Sequence, residues 1–83
     1  MKVFYTHRAL RQLENLSGLV QIRILRKIKF YADQKNPLEF AERLVDDREG
    51  QYRFRVGGYR VVFDLLRGSI YVLRVGRRDK VYD

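Results

Sequence analysis

The feature that most constrains the fold is a stretch of alternating polar and apolar residues that turns back on itself. Residues 51–56 have the sequence QYRFRV, which is the period-two pattern of a strand with one buried face. Gly57 and Gly58 follow, and two glycines favour a tight hairpin because they tolerate positive φ angles. Residues 59–65 then supply the returning strand. The sequence therefore predicts an antiparallel hairpin that turns at the two glycines.

The register of this hairpin predicts a basic face. A two-glycine loop places Arg55 opposite Arg60 and Arg53 opposite Val62, and facing residues lie on the same side of an antiparallel pair. The apolar side chains are expected on the other face: Tyr52, Phe54, Val56, Tyr59, Val61 and Phe63. Like charges directly opposite each other destabilise a sheet. The pairing of Arg55 with Arg60 therefore indicates a binding site for an anion.

A second turn, at Arg67 and Gly68, predicts a third strand over residues 70–76. Without a bulge, this strand places Arg74 on the apolar face, near the end of the sheet. The basic face is expected to continue through Asp64, Tyr71, Leu73 and Val75. A β-bulge in either strand would change these assignments.

The first half of the chain has helical periodicity. Residues 3–5 predict a short first strand, and Thr6 can cap a helix whose leucines recur at helical spacing. Ser17 and Gly18 interrupt the pattern, and residues 19–32 form a second apolar stripe. Two antiparallel helices in a hairpin are therefore expected.

Asn36 and Pro37 predict the start of a short third helix, which should end near Leu44 or Val45. The expected fold class is α+β. An N-terminal short strand and helical hairpin pack on a C-terminal three-stranded antiparallel meander, in a single domain over residues 1–83.

Composition limits the function classes. The absence of cysteine excludes disulfides and thiolate chemistry. The longest apolar run, residues 70–73, is too short to span a membrane, and no signal peptide is recognisable; we expect a soluble, cytoplasmic protein. His7 is the single histidine, which excludes a two-histidine ribonuclease mechanism. The acidic loop residues Asp46, Asp47 and Glu49 are expected to be solvated, and neither a metal nor a cofactor is predicted.

The charge predicts a polyanionic partner. Lys and Arg number 18 against 10 Asp and Glu, a net charge of +8. Nucleic acid is the commonest partner of such a basic domain.

Over nearly its whole length the sequence resembles the RelE/ParE toxin superfamily. The similarity is carried by residues 52–63 (YRFRVGGYRVVF), by residues 75–78 (VGRR), and by Val81 and Tyr82. The resemblance implies a RelE-like microbial RNase fold and the toxin of a type II toxin–antitoxin system. RelE-like members are ribosome-dependent endoribonucleases that cut mRNA in the decoding site, whereas ParE-like members poison DNA gyrase. Both are held inactive by a small antitoxin.

For a RelE-like enzyme, the resemblance implies five catalytic residues: Arg53, Arg55, Arg60, Arg78 and Tyr82. The 2′-hydroxyl of the RNA attacks the adjacent phosphorus without a metal, and guanidinium groups stabilise the charge on the phosphoryl oxygens. Arginine remains protonated in proteins, so Arg53 and Arg55 are expected to clamp phosphate rather than to act as bases.

The remaining catalytic roles fall near the C-terminus. Arg78 is expected to neutralise or protonate the leaving 5′-oxygen. Tyr82 is expected to orient or deprotonate the 2′-hydroxyl, or to stack on a base, and Lys80 is an alternative base.

Five residues are expected to contact RNA: Arg23, Lys27, Tyr71, Arg77 and Lys80. The alternative for Arg23 and Lys27 is a solvated helix face, and the alternative for Tyr71 is packing beside Asp64.

The expected partners are an antitoxin, the ribosome with its RNA, and mRNA, with no membrane and no small-molecule cofactor. Two other functions are open, a ParE-like gyrase inhibitor and a catalytically inactive nucleic-acid-binding relic. Arg78 together with Tyr82 favours the nuclease, because the strand arginines are common to both branches of the superfamily.

Overall fold

The computed structural model describes residues 1–46 and 48–77 of the chain. The first elements are strand β1 (Val3–Tyr5), helix α1 (His7–Glu14) and helix α2 (Gly18–Ala32). A short 3₁₀ helix (Pro37–Phe40) follows. The remaining strands are β2 (Ala41–Arg43), β3 (Tyr52–Val56), β4 (Tyr59–Leu66) and β5 (Ser69–Arg77).

The strands form one sheet in the order β1-β5-β4-β3-β2. Strand β1 runs parallel to β5, and the other neighbours are antiparallel. The α+β class, the first strand, the helical hairpin and the three-stranded meander are all confirmed. The meander is extended by one short strand at each edge, so the sheet of the described residues has five strands.

Side-chain caps define where both helices begin. Thr6 accepts a hydrogen bond from the backbone N–H of Ala9 at 3.1 Å, and Ser17 accepts one from Val20 at 3.4 Å. The Thr6 hydroxyl also donates to the carbonyl of Leu73 at 3.2 Å, which ties the start of α1 to β5. No helix in the described part of the chain is long and apolar enough to cross a membrane.

The third helix ends earlier than the sequence predicts. Asn36 caps it as expected, but the helix is a single 3₁₀ turn that ends at Phe40. Residue Ala41 is already extended, and Glu42 pairs with Arg53 across the edge of β3. The prediction of a helix as far as Leu44 or Val45 is therefore wrong. The ladder offered by the edge of β3 outweighs a helix start that is too short to be stable alone.

The core lies between the two helices and one face of the sheet. The helices contribute buried side chains at Ala9, Leu13, Ile24, Ile28 and Ala32. The rings of Phe54 and Phe63 stack with their centroids 4.4 Å apart. Both rings are fully buried, so the apolar face predicted for the first hairpin is confirmed.

A bulge in β5 corrects the predicted register of the second hairpin. Asp64 faces Tyr71 as expected, but the register shifts by one residue between Val62 and Phe63. Arg74 therefore faces Val62 on the basic side of the sheet. Val75, expected on the basic face, is buried in the core. Turn geometry alone cannot locate such an extra residue, because both registers satisfy the turn.

The loop between β2 and β3 covers part of the basic face. Gly50 has a φ of +138°, and a β-carbon built on it would lie 2.5 Å from Cγ1 of Val62. This close approach of the backbone explains why Val62 is fully buried although it lies on the face opposite the helices.

We predict that Gly50→Ala lowers the free energy of unfolding by roughly 1–3 kcal/mol, because the new β-carbon meets Val62 at a φ that L-residues rarely adopt. Urea denaturation measures the effect. Gly18→Ala is the matched control, since no described heavy atom lies within 4 Å of a β-carbon at that helix start. Equal unfolding free energies for the two variants would contradict the prediction.

Candidate functional site

Three arginines converge on the face of the sheet opposite the helices, and we call Arg53, Arg55 and Arg60 the arginine cluster. Arg55 lies directly opposite Arg60 on the neighbouring strand, as predicted from the sequence. Arg53 is two residues earlier on β3, so its side chain leaves the sheet on the same side. The cluster places three guanidinium groups on adjacent positions of a rigid hairpin.

Glu42 on the edge strand holds two members of the cluster. Its Oε2 accepts hydrogen bonds from Nη2 of Arg53 at 2.6 Å and from Nε at 3.2 Å. Its Oε1 lies 2.5 Å from Nε of Arg55. One carboxylate therefore bridges two guanidinium groups, which offsets part of the repulsion within the cluster.

The same contacts fix the charge of Glu42. Hydrogen bonding from Arg53 lowers the pKa of the Glu42 carboxyl, opposed by desolvation and aided by the positive charges of Arg53 and Arg55. Glu42 is therefore ionised at neutral pH while the arginines are bound to it.

Arg60 is buried more deeply than an alternating strand pattern indicates. Only 5% of the surface of Arg60 is exposed. Its Nη1 lies within hydrogen-bond distance of the carbonyls of Gly57 at 3.4 Å and Tyr59 at 3.3 Å. Arg60 thus stabilises the hairpin loop, whereas the Arg55 side chain is 56% exposed and open to a ligand.

Arg23 reaches the same loop from helix α2. A β-carbon on Gly57 would lie 2.8 Å from Nη2 of Arg23, so this guanidinium lies against the hairpin turn. Arg77 faces Tyr59, which places it at the same end of the sheet. These two RNA-binding candidates therefore lie at the end of the sheet where the arginine pair is found.

Two other candidates lie elsewhere. Lys27 projects over the rings of Phe30 and Tyr31, with its Nζ 5.3 Å from each centroid, on the outer surface of α2. Tyr71 lies on the basic face but beside Asp64, near the opposite end of β4. Arg78, Lys80 and Tyr82 lie outside the described residues.

Sequence reasoning missed two acidic partners of the basic face. Glu42 was expected in a helix, and only a strand over residues 41–43 puts it opposite Arg53. Glu49 is the second acidic partner. It forms an ion pair with Arg74, which the bulge brings to the basic face instead of the apolar face that the sequence predicts. No group of three or more potential metal ligands occurs in residues 1–46 and 48–77.

A second surface lies on α2, and we call it the α2 groove. It is a concavity of about 490 Å³ lined by Leu19, Ile22, Arg23, Arg26, Lys27 and Phe30. Leu19 is 84% exposed, and half of Ile22 and Phe30 is also exposed. Apolar side chains bordered by cations are typical of a surface that binds an acidic, amphipathic protein segment.

Similar structures share this fold. One is the toxin–antitoxin complex RelBE2 from Mycobacterium tuberculosis, at 24% identity and a TM-score of 0.75, covering 93% of this chain and 96% of that chain. A second is the RelB–RelE antitoxin–toxin complex from Methanococcus jannaschii, at 21% identity and a TM-score of 0.71, covering 96% of this chain and 95% of that chain. A third is the intact E. coli RelBE toxin–antitoxin complex, at 21% identity and a TM-score of 0.69, covering 92% of this chain and 94% of that chain.

No curated protein sequence matches the chain. The family model of the ParE toxin of type II toxin–antitoxin systems (parDE) matches residues 3–82. This match covers almost all of the sequence and confirms the resemblance to the RelE/ParE toxin superfamily. The chain therefore belongs to the ParE toxin family of type II toxin–antitoxin systems, within the RelE/ParE superfamily.

Proposed function

We propose that this toxin is an endoribonuclease that cleaves mRNA in the decoding site of the ribosome without a metal. The observation that supports the proposal is the facing pair Arg55 and Arg60, extended by Arg53, on one side of a rigid hairpin. Like charges are placed opposite each other at a cost in stability. A ligand with several negative oxygens, such as an RNA phosphate, offsets that cost.

We infer the position of the bound phosphate from Glu42. Its two oxygens occupy the hydrogen-bonding directions of Arg53 and Arg55, and guanidinium groups bind phosphate and carboxylate in the same forked geometry. A scissile phosphate is proposed to displace the carboxylate from one or both arginines.

The proposed reaction is an in-line displacement. The 2′-oxygen forms a bond to phosphorus, the bond from phosphorus to the 5′-oxygen breaks, and the products carry a 2′,3′-cyclic phosphate and a 5′-hydroxyl. Arg53 and Arg55 stabilise the charge that develops on the non-bridging oxygens. Arg78 is proposed to donate a hydrogen bond to the leaving 5′-oxygen, which takes its proton from solvent, and Tyr82 is proposed to orient the 2′-hydroxyl.

Glu42 is proposed to accept the proton of the 2′-hydroxyl, a role that the arginines cannot perform because they remain protonated. Its pKa is low because Arg53 donates to it. When phosphate takes over that donor, the part of the pKa depression that the Arg53 hydrogen bond causes is relieved, and the carboxylate becomes a stronger base. Substrate binding would thereby activate the base.

A second candidate function is the inhibition of DNA gyrase. The family match favours it, because the matching family is named for ParE. Gyrase inhibition requires a protein-binding surface but not RNA cleavage, so the two functions differ in a direct assay.

The proposed partner that inhibits the toxin is a small acidic antitoxin. The similar solved structures are antitoxin–toxin complexes. The α2 groove provides exposed apolar side chains and cations for an acidic amphipathic segment, and the net charge of +8 favours its association.

We predict that Arg55→Ala lowers the rate of ribosome-dependent mRNA cleavage by about 10²–10³-fold, as expected for removing one donor to a developing oxyanion. Primer extension on mRNA in a reconstituted translation reaction measures the rate. The side chain is exposed, so the fold should be unchanged.

Arg8→Ala is the matched control. It removes the same charge from an exposed position of α1, and this variant should cleave mRNA like the wild type. Wild-type cleavage by Arg55→Ala would mean that the arginine cluster is not the active site. A wild-type protein that leaves mRNA intact but inhibits supercoiling would support the gyrase function instead.

Glu42→Gln is expected to slow cleavage by about 10²-fold or more while RNA binding becomes tighter, because glutamine cannot accept the proton and no longer competes as an anion. Cleavage rates and fluorescence anisotropy with 2′-O-methyl RNA separate the two effects. If the variant cleaves at the wild-type rate, Glu42 only orients the arginines.

Leu19→Asp is predicted to weaken binding of the antitoxin by at least about tenfold, because it places an anion in the apolar part of the groove. Isothermal titration calorimetry with the cognate antitoxin measures this. Val45→Asp changes another highly exposed apolar residue, which lies outside the groove, and this variant should bind the antitoxin normally. Equal affinities of the two variants would place the antitoxin elsewhere.

A further inference from the structure

A cleft of about 290 Å³ opens on the basic face of the sheet, and we call it the Asp64 cleft. Its walls include Asp64, Tyr71, Gln51 and Leu73. Asp64 follows Arg60 by four residues on the same strand and the same face, which separates their α-carbons by about 13 Å. The backbone at Gly50 covers Val62 between them, so a strand of RNA held by the arginine cluster has to pass over Gly50 to reach the cleft.

The carboxylate of Asp64 is held in a fixed orientation. Its Oδ1 accepts the backbone N–H of Gln51 at 2.9 Å. The Gln51 side chain in turn accepts the backbone N–H of Leu65 at 2.8 Å. Among residues 1–46 and 48–77, no group donates a hydrogen bond to Oδ2 of Asp64. Oδ1 is thus oriented by the backbone and keeps a second lone pair, so both carboxylate oxygens can accept hydrogen bonds from a ligand.

Tyr71 forms an aromatic wall of the cleft. Its ring stacks on that of Phe4, with centroids 5.1 Å apart and planes inclined by 17°. Phe4 comes from the adjacent edge strand β1 and supports Tyr71 from that side. Because Phe4 is half exposed, its pairing with Tyr71 leaves an aromatic surface next to an acceptor carboxylate.

These features favour a nucleobase over a phosphate. A carboxylate repels a phosphate, but it accepts hydrogen bonds from ring and exocyclic nitrogens. Single-stranded RNA is recognised by stacking of its bases on aromatic side chains and by hydrogen bonds to their edges. The cleft is smaller than the usual range for drug-sized ligands, roughly 300–1,000 Å³, which agrees with a single base.

Guanine is the base whose edge best fits a carboxylate. Its N1–H and N2 amino group lie side by side and point in the same direction, so they can donate to one carboxylate together. Adenine and cytosine offer one amino group beside an acceptor nitrogen, and the N3–H of uracil lies between two carbonyl oxygens. Those acceptors would face the negative charge of Asp64.

We propose that the Asp64 cleft binds a guanine base that neighbours the phosphate held by the arginine cluster, with Tyr71 stacking on the base and Asp64 accepting from N1–H and the N2 amino group. This inference rests on the proposed function, since it assigns the sequence preference of the same RNA site. The cleft would decide where in an mRNA the toxin binds, and the arginine cluster would hold the backbone whatever its sequence.

The test is an NMR titration of the ¹⁵N-labelled protein with 2′-O-methyl tetranucleotides that differ at one central position, which is guanine, inosine, adenine or uracil. Wild-type protein is expected to bind the guanine oligonucleotide at least about fivefold more tightly than the uracil one, the lower end of what a paired contact provides. Inosine lacks the N2 amino group and should fall between them. The amide signals of Leu65 and Tyr71 should shift with guanine.

Asp64→Asn keeps an oxygen for the N–H of Gln51 but turns the other acceptor into a donor. It is expected to abolish the preference for guanine. Asp33→Asn makes the same change of charge at the exposed C-cap of α2 and should retain the preference. Tyr71→Phe should bind the oligonucleotides like the wild type. Tyr71→Ala should bind every oligonucleotide about fivefold or more weakly, because the stacking surface is lost.

Equal binding of all four oligonucleotides by the wild type would overturn the proposal, as would an unchanged guanine preference in Asp64→Asn. The oligonucleotides cannot be cleaved, so the result does not depend on nuclease activity. A guanine preference in a protein that cleaves no mRNA would keep the cleft and reject the nuclease. Ribosome-dependent cleavage without a base preference would keep the nuclease and reject the cleft.

Discussion

The hairpin of β3 and β4 is the constraint on which the remaining structure depends. Gly57, with a φ of +60°, closes the loop, and the resulting register places Arg55 opposite Arg60. The same register turns Phe54 and Phe63 toward the helices, where they are fully buried. A slip of one residue would bury arginines and expose the core. Burial of the aromatic face therefore stabilises an arrangement of like charges that would not be stable alone.

The acidic residues around this hairpin moderate its charge without removing it. Glu42 on the edge strand bridges Arg53 and Arg55, and Glu49 pairs with Arg74 on the same face. Both carboxylates are brought to the arginines by short or irregular segments. The guanidinium groups are thus already oriented by a carboxylate, and we propose that a phosphate replaces it.

Strong local patterns made most of the fold predictable. The two-glycine loop, the capping residues Thr6 and Ser17 and the alternation of residues 51–56 each specified an element that the structure contains. Strand β2 was not predictable, because its three residues form a strand only through pairing with β3. The bulge in β5 was hidden for a similar reason, since an extra residue leaves the turn unchanged. The positions of the arginines in the candidate site were therefore predictable, but their contact with Glu42 was not.

We propose that this member of the ParE toxin family cuts RNA on the ribosome. The decisive experiment maps mRNA 5′-ends by primer extension, with wild-type protein and with or without ribosomes in a reconstituted translation reaction. We expect cuts within the codon in the decoding site, with 5′-hydroxyl ends, only when ribosomes are present. Intact mRNA in the presence of ribosomes, together with inhibition of gyrase supercoiling by the same protein, would contradict it.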